Sequence, residues 1–145
     1  MLCRRLAVKH EQPKPTPRRR RITDADNLEV VTMVYAGLLN KSVVAGLQKN
    51  NCNAIGLSGA DGNIIKAHKR IVKDIDYGFA GDVDTVDINI ISALLNASLT
   101  PVFCAITHDK NGQLLNTNAD TIAAELASAL AEIYEVNLTY VFEKK

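Results

Sequence analysis

Leu114-Leu115-Asn116-Thr117-Asn118-Ala119-Asp120 runs straight into Thr121-Ile122-Ala123-Ala124-Glu125-Leu126. The change of pattern at that junction decides how the chain is read. At extended spacing, residues 116, 118 and 120 point to one side of the backbone, whereas the residues after them follow an apolar helical pattern. Two amides and a carboxylate therefore stand at the mouth of a helix whose free N–H groups favour negative charge, an arrangement suited to orienting a small anion. Helix capping by Asn118 or Asp120 is the alternative, since Asn and Asp commonly cap, but capping needs only one of the three residues.

The same alternation of extended and helical stretches recurs upstream. Thr23 is expected to cap a helix, with Asp26 three residues on. Leu28, Val31, Val34, Tyr35, Leu38 and Leu39 then make one apolar face. An interruption is expected near Gly37, a resumption through Val43, Val44 and Leu47, and a stop at Asn50-Asn51, because Asn tolerates a left-handed helix end. Ala54-Ile55-Gly56-Leu57 reads as a short buried strand. Ser58-Gly59-Ala60-Asp61-Gly62 reads as a tight connection to Ile64-Ile65-Lys66-Ala67. Asp82, Asp84 and Asp87 lack the glycine and terminal Glu of a calcium loop and are assigned to turn formation and helix capping, so no metal site is expected.

A second helix is predicted from Ile88 to Ala97, and Val102-Phe103-Cys104-Ala105-Ile106 is predicted as one strand covered on both faces. Asp109-Lys110-Asn111-Gly112 makes a turn, a last helix spans Ala119 to Tyr134, and Leu138-Thr139-Tyr140-Val141-Phe142 closes the sheet. Strands alternating with helices imply an α/β fold with a mainly parallel sheet and helices on both faces, a three-layer αβα sandwich.

Composition adds exclusions. The 145 residues are 47% hydrophobic and 23% charged with net charge +1, giving no bulk reason to expect nucleic acid or membrane as a partner. No apolar run approaches the roughly 20 residues of a membrane span, and no apolar segment follows the N-terminal arginines as in a secretory signal. Cys3, Cys52 and Cys104 are odd in number and scattered, which fits reduced thiols in a cytoplasm; Cys104 reads as a core residue. Residues 1–20 hold three prolines and a basic run and are expected to form a disordered arm, leaving 21–145 as a single domain. His10, His68 and His108 have no nucleophile or carboxylate at an informative spacing.

The Asn116-to-Asp120 stretch resembles the Asn-x-Asn-Ala-Asp motif of the amino-acid kinase superfamily, and of its N-acetylglutamate kinase family in particular. Arg21-Ile22-Thr23-Asp24, Val34-Tyr35-Ala36-Gly37-Leu38-Leu39-Asn40-Lys41, Gly56-Leu57-Ser58-Gly59-Ala60-Asp61-Gly62 and Gly78-Phe79-Ala80-Gly81-Asp82-Val83 follow in that family's order. The resemblance covers roughly residues 20 to 143. It implies ATP-dependent phosphorylation of the side-chain carboxylate of an N-acyl-L-glutamate, with Mg2+, on the route to arginine, in a cytoplasmic homo-oligomer.

Residue by residue, the resemblance implies that Arg21 clamps the substrate's α-carboxylate and that Asn116 contacts its amino-acid end. It implies that Asp120 organises two catalytic lysines. The family's N-terminal Gly-Gly loop and its lysine are not recognisable here, since residues 1–20 contain no glycine. The second lysine and the nucleotide-binding half are expected beyond Lys145, so the chain is read as a partial domain that is expected to be inactive alone, since several catalytic groups are missing together. Lys41, Lys144 and Lys145 are declined as substitutes. Two other readings stay open: a non-catalytic acyl-amino-acid-binding subunit, and an interaction module that dimerises through its long helix.

Overall fold

The computed structural model describes residues 22–72 and 75–141. The arm, Arg21, Phe142 and the C-terminal lysines lie outside them. The chain opens with α1 (Ala25–Thr32), widens into a π-helical stretch (Met33–Leu39) and continues as α2 (Asn40–Lys49). Asp24, not Thr23, caps α1: its carboxylate accepts from the Asn27 N–H at 2.8 Å. Thr23 is instead held as extended backbone against Gly78. The expected interruption near Gly37 is the π stretch, and Asn51 ends the run with φ 58°.

Strand β1 (Ala54–Leu57) follows and pairs in parallel with β4 (Thr100–Phe103). The other four strands are β2 (Ile65–Val72), β3 (Ile75–Val86), β5 (Ile106–His108) and β6 (Leu114–Thr117). These close on one another in the order β2-β3-β6-β5, mixing antiparallel and parallel pairs. The fold is α/β with a parallel pair, but the single, mainly parallel sheet of a three-layer sandwich is not what these strands form. Alternation of strand and helix cannot reveal the β2–β3 pair, because antiparallel neighbours need no helical crossover.

Four further expectations are corrected. The run Val102 to Ile106 is not one strand: the Cys104 N–H still donates to Leu57 O at 2.9 Å, but the Ala105 carbonyl accepts from Thr117 N–H at 3.0 Å. The chain changes sheets at that point. Asp82 and Asp84 lie within β3 rather than in turns and face Arg70 and His68 across the hairpin, while Asp87 does cap α3 (Ile88–Asn96). The last helix, α4 (Ala119–Leu130), stops short of Tyr134, and residues 138–141 form no strand. A strand needs a partner for its backbone, and no described strand pairs with that segment.

The core gathers Ile64, Ile65, Ile91, Phe103, Ile122, Leu126 and Leu130, where α3 and α4 pack against the strands. The run Ala25–Lys49 contrasts with it. By length and composition alone this 25-residue helix could cross a membrane, although the sequence shows no uninterrupted apolar run of that length. Its polar residues interrupt the run without removing the helix's apolar average.

Candidate functional site

The Asn116-to-Asp120 stretch takes two conformations, and one of its three polar residues is the helix cap. Asn116 lies at the end of β6, while Asn118 is the helix cap of α4, its side-chain oxygen accepting from Thr121 N–H at 2.9 Å. Asp120 then stands in the first helical turn, half-buried, so the three side chains do not share one extended face. Because Asn118 alone satisfies the cap, Asn116 and Asp120 are released from that duty. The Asp120 carboxylate makes no ion pair within the described residues; its backbone carbonyl accepts from Tyr140 Oη at 3.3 Å.

Asn116 reaches across the molecule. Its Nδ2 donates to Thr23 Oγ1 at 3.2 Å, joining residues 93 positions apart. Thr23 is itself clamped: its N–H donates to Tyr77 O at 3.1 Å, and its carbonyl accepts from Phe79 N–H at 2.7 Å. Gly78 lies between those two partners with φ 64°, and a Cβ there would collide with the Thr23 carbonyl. A side chain is excluded both by space and by backbone conformation.

Thr23 directly precedes the cap of α1 and Asn116 stands two residues before the cap of α4, so the bond between them draws two helix N-termini to one place. Each terminus presents unsatisfied N–H groups and the positive end of its peptide dipoles. Arg21, the predicted carboxylate clamp, is outside the described residues, two positions before Thr23. The arrangement favours an anion that also offers hydrogen-bonding groups to an amide.

A second set of contacts supports the strand side of this region. Asn40, buried in α2, donates from Nδ2 to Val102 O at 2.8 Å, and its Oδ1 accepts from Lys41 Nζ at 3.0 Å. Lys41 Nζ also donates to Gly56 O at 3.1 Å, and a Cβ on Gly56 would strike the Asn40 amide. Asn40 and Lys41 thus fasten the helix to β1 and β4, a role that the motif order pointed to without disclosing. In the loop after β1, Asp61 Oδ2 accepts from Ser58 N–H at 2.6 Å and from Ser58 Oγ at 2.7 Å.

Cys104 is half-buried just after β4, and burial pushes its thiol pKa above the ordinary value, which disfavours the thiolate. Cys52 is buried, with its Sγ 3.5 Å from Thr100 Oγ1. Across the hairpin, Arg70 grips Asp82, and that hydrogen bond holds the guanidinium pKa up. A cleft of about 280 Å³ lined by Asn63, Lys66, Asp87 and Asn89 among others shares no residue with the Thr23–Asn116 cluster.

Residues 3–134 match the amino acid kinase family. An acetylglutamate kinase of Phocaeicola vulgatus is 59% identical over 126 residues, 87% of this chain and 49% of the relative. Another, from Bacteroides fragilis, is 58% identical over 126 residues, again 87% of this chain and 48% of the relative. The chain thus spans about half the length of the curated relatives it matches. Among solved structures, smu.665 from Streptococcus mutans superposes with a TM-score of 0.72 at 27% identity, covering 81% of this chain and 48% of that one. An N-acetylglutamate synthase from Neisseria gonorrhoeae, solved with coenzyme A and N-acetyl-glutamate, superposes with a TM-score of 0.62 at 19% identity. It covers 77% of this chain and 24% of that one, a likeness of fold alone.

Proposed function

Since the chain belongs to the amino acid kinase family, we propose that it supplies the acyl-amino-acid-binding half of an acetylglutamate kinase. The whole enzyme would phosphorylate the side-chain carboxylate of N-acetyl-L-glutamate, or of another N-acylglutamate, with ATP and Mg2+. The product is an acyl phosphate, made in the cytoplasm on the way to arginine. The identity of about 59% to relatives of that name supports the reaction class. The complete domain would extend the β1–β4 pair into the central sheet of a three-layer sandwich.

One observation carries the site: the Asn116–Thr23 hydrogen bond. It brings Thr23, two positions after the expected carboxylate clamp in sequence, beside the Asn116-to-Asp120 segment. A guanidinium can hold a carboxylate by two parallel hydrogen bonds, and an amide can both donate and accept at the amino-acid end. Arg21 and Asn116 are therefore assigned to substrate, and Asp120 to organising catalytic cations. A carboxylate beside a transferring phosphoryl group helps only by anchoring such cations.

Among the described residues no group of three His, Cys, Asp or Glu side chains could hold a metal ion. Mg2+ in phosphoryl-transfer sites is usually held by one or two carboxylates together with the nucleotide's phosphates, so it would arrive with ATP. A second reading, that the 145 residues bind the acyl-amino acid without turning it over, is favoured by Asp120, whose carboxylate has no ion pair among the described residues.

Isothermal titration of the purified chain with N-acetylglutamate, then with ATP, tests both. Binding of the first alone supports the proposal for this chain, and binding of neither overturns it. Arg21→Ala should weaken N-acetylglutamate binding by about 1.5 to 3 kcal/mol, the scale of a charged hydrogen bond, while Arg18→Ala changes almost nothing. Equal losses would reduce the arginine run to diffuse charge.

A further inference from the structure

A hydroxyl pair lies inside the closed strands. Thr107, in the middle of β5, and Thr117, at the end of β6, are 0% and 3% exposed, and their Oγ1 atoms meet at 2.7 Å with either able to donate. Thr107 stands opposite Leu115 in the β5–β6 ladder, so the pair is diagonal, on one face of the two strands. Gly81 of β3 stands opposite Thr117, and a Cβ there would fall 2.5 Å from the Thr117 hydroxyl and 3.2 Å from that of Thr107. The glycine leaves the room in which the two oxygens meet.

We propose that Thr107 and Thr117 are positioning residues that set the register of β6 and thereby hold Asn116 at the substrate; the inference rests on the acyl-amino-acid site proposed above. β5 has three residues and β6 four, so few ladder bonds fix their alignment. Alternation of side chains guards against a slip of one residue, which would turn Leu115 and Thr117 outward. It does not guard against a slip of two, which returns the same faces. In one direction such a slip would draw Asn118 into the strand and cost α4 its cap. In the other, Leu115 would take the place of Thr117, and the Thr107 hydroxyl would be left buried without a partner.

That second slip is the one the hydroxyl pair forbids, and the site depends on forbidding it. Two residues of strand are about 7 Å, so Asn116 would leave Thr23 Oγ1, which its Nδ2 meets at 3.2 Å, and Leu114 would stand there instead.

Calorimetric titration with N-acetylglutamate, thermal unfolding and NMR of the Asn116 side-chain amide, all on the purified 145-residue chain, test it. Thr107→Ser with Thr117→Ser removes two methyl groups and keeps both hydroxyls. Its melting temperature should fall, while affinity stays at the wild-type value and Asn116 gives one set of amide signals. Thr107→Val with Thr117→Ala removes both hydroxyls and leaves apolar filling. It should melt no lower than the first variant yet bind about tenfold more weakly, as when the competent register falls to about one-tenth of the population, and it should show a second set of Asn116 signals. A role confined to stability would instead make binding follow melting temperature. Wild-type affinity without the hydroxyls overturns the proposal, as does equal weakening in both variants. A wild-type chain that binds no N-acetylglutamate overturns the substrate reading alone; the Asn116 signals then decide the register, one set in all three proteins overturning it and a second set confined to the variant without hydroxyls supporting it.

Discussion

The closed strands with α4 and the long helix Ala25–Lys49 have comparable apolar patterns and opposite fates. In α4, Ile122, Ala123, Leu126 and Leu130 are all buried against the strands. Along the long helix only Leu28 and Asn40 are buried, and one of those is polar. A periodic apolar face states that a helix wants a partner; it does not state that the partner lies within the same chain. Where α4 contributes to holding the fold, the long helix contributes by what it presents: Thr23 and Asp24 at one end, an uncovered face in the middle.

The largest expected effect separates these roles directly. Leu126 is fully buried in the main cluster, so Leu126→Ala should cost about 2 to 5 kcal/mol of folding stability through lost burial and the cavity left behind. Leu38→Ala, in dilute solution where no association occurs, should change stability by no more than about 0.5 kcal/mol. Urea unfolding of both variants measures the contrast. Similar losses at the two sites would mean that Leu38 is covered within the single chain.

A smaller pair of effects should differ in sign. Gly78 is held at φ 64° with the Thr23 carbonyl where a Cβ would stand, so Gly78→Ala must distort the clamp on Thr23. A loss of at least about 1 kcal/mol is expected, together with weakened N-acetylglutamate binding, because Thr23 would no longer meet Asn116 correctly. Gly37 is helical and open, so Gly37→Ala should stabilise the single chain by about 0.4 to 1 kcal/mol. Thermal unfolding with calorimetry of ligand binding reads both. A stabilised Gly78→Ala variant would show that the Thr23–Gly78 bridge carries no constraint.

These contrasts also mark what could be read without coordinates. Local signals were reliable: Ala54–Leu57 is a strand with the expected limits, Asp87 caps α3, and the helix stop at Asn51 has its left-handed residue. Each depends on neighbours within a few positions. The failures share a different cause. That Thr23 pairs with Gly78 rather than capping, that the Val102-to-Ile106 run changes sheets, and that Asp82 and Asp84 are strand residues all depend on which distant backbone lies alongside. Within β3, Gly78 and Gly81 stand where Thr23 and the Leu115–Thr117 strand approach too closely for a side chain, a constraint set by segments distant in sequence.

The candidate site divides the same way. Asn116 and Asp120 were legible as a motif, and Asn118 as a cap, but the bond that joins Asn116 to Thr23 has no local signature. Only the order of motifs along the chain hinted that the two segments meet.

The smallest expected effect lies at the rim of the compact region, in the turn between β5 and β6. Asp109 Oδ1 accepts from the backbone N–H groups of Gln113 at 2.9 Å and Asn111 at 2.8 Å. Those bonds, that from Gln113 first, hold its pKa below the ordinary 3.8. A depressed carboxylate pKa means that the native state prefers the charged form more than the unfolded chain does. The resulting stability is complete above 3.8 and disappears as the pH falls through the lower, folded value. Asp109→Asn keeps an accepting oxygen but removes the charge, so it should melt slightly below the wild type at about pH 6 and match it at about pH 2. The exposed turn makes the difference small, and salt should shrink it further. A gap that widens toward acid would reverse the sign and show that the charge of Asp109 is a burden to this turn rather than a support.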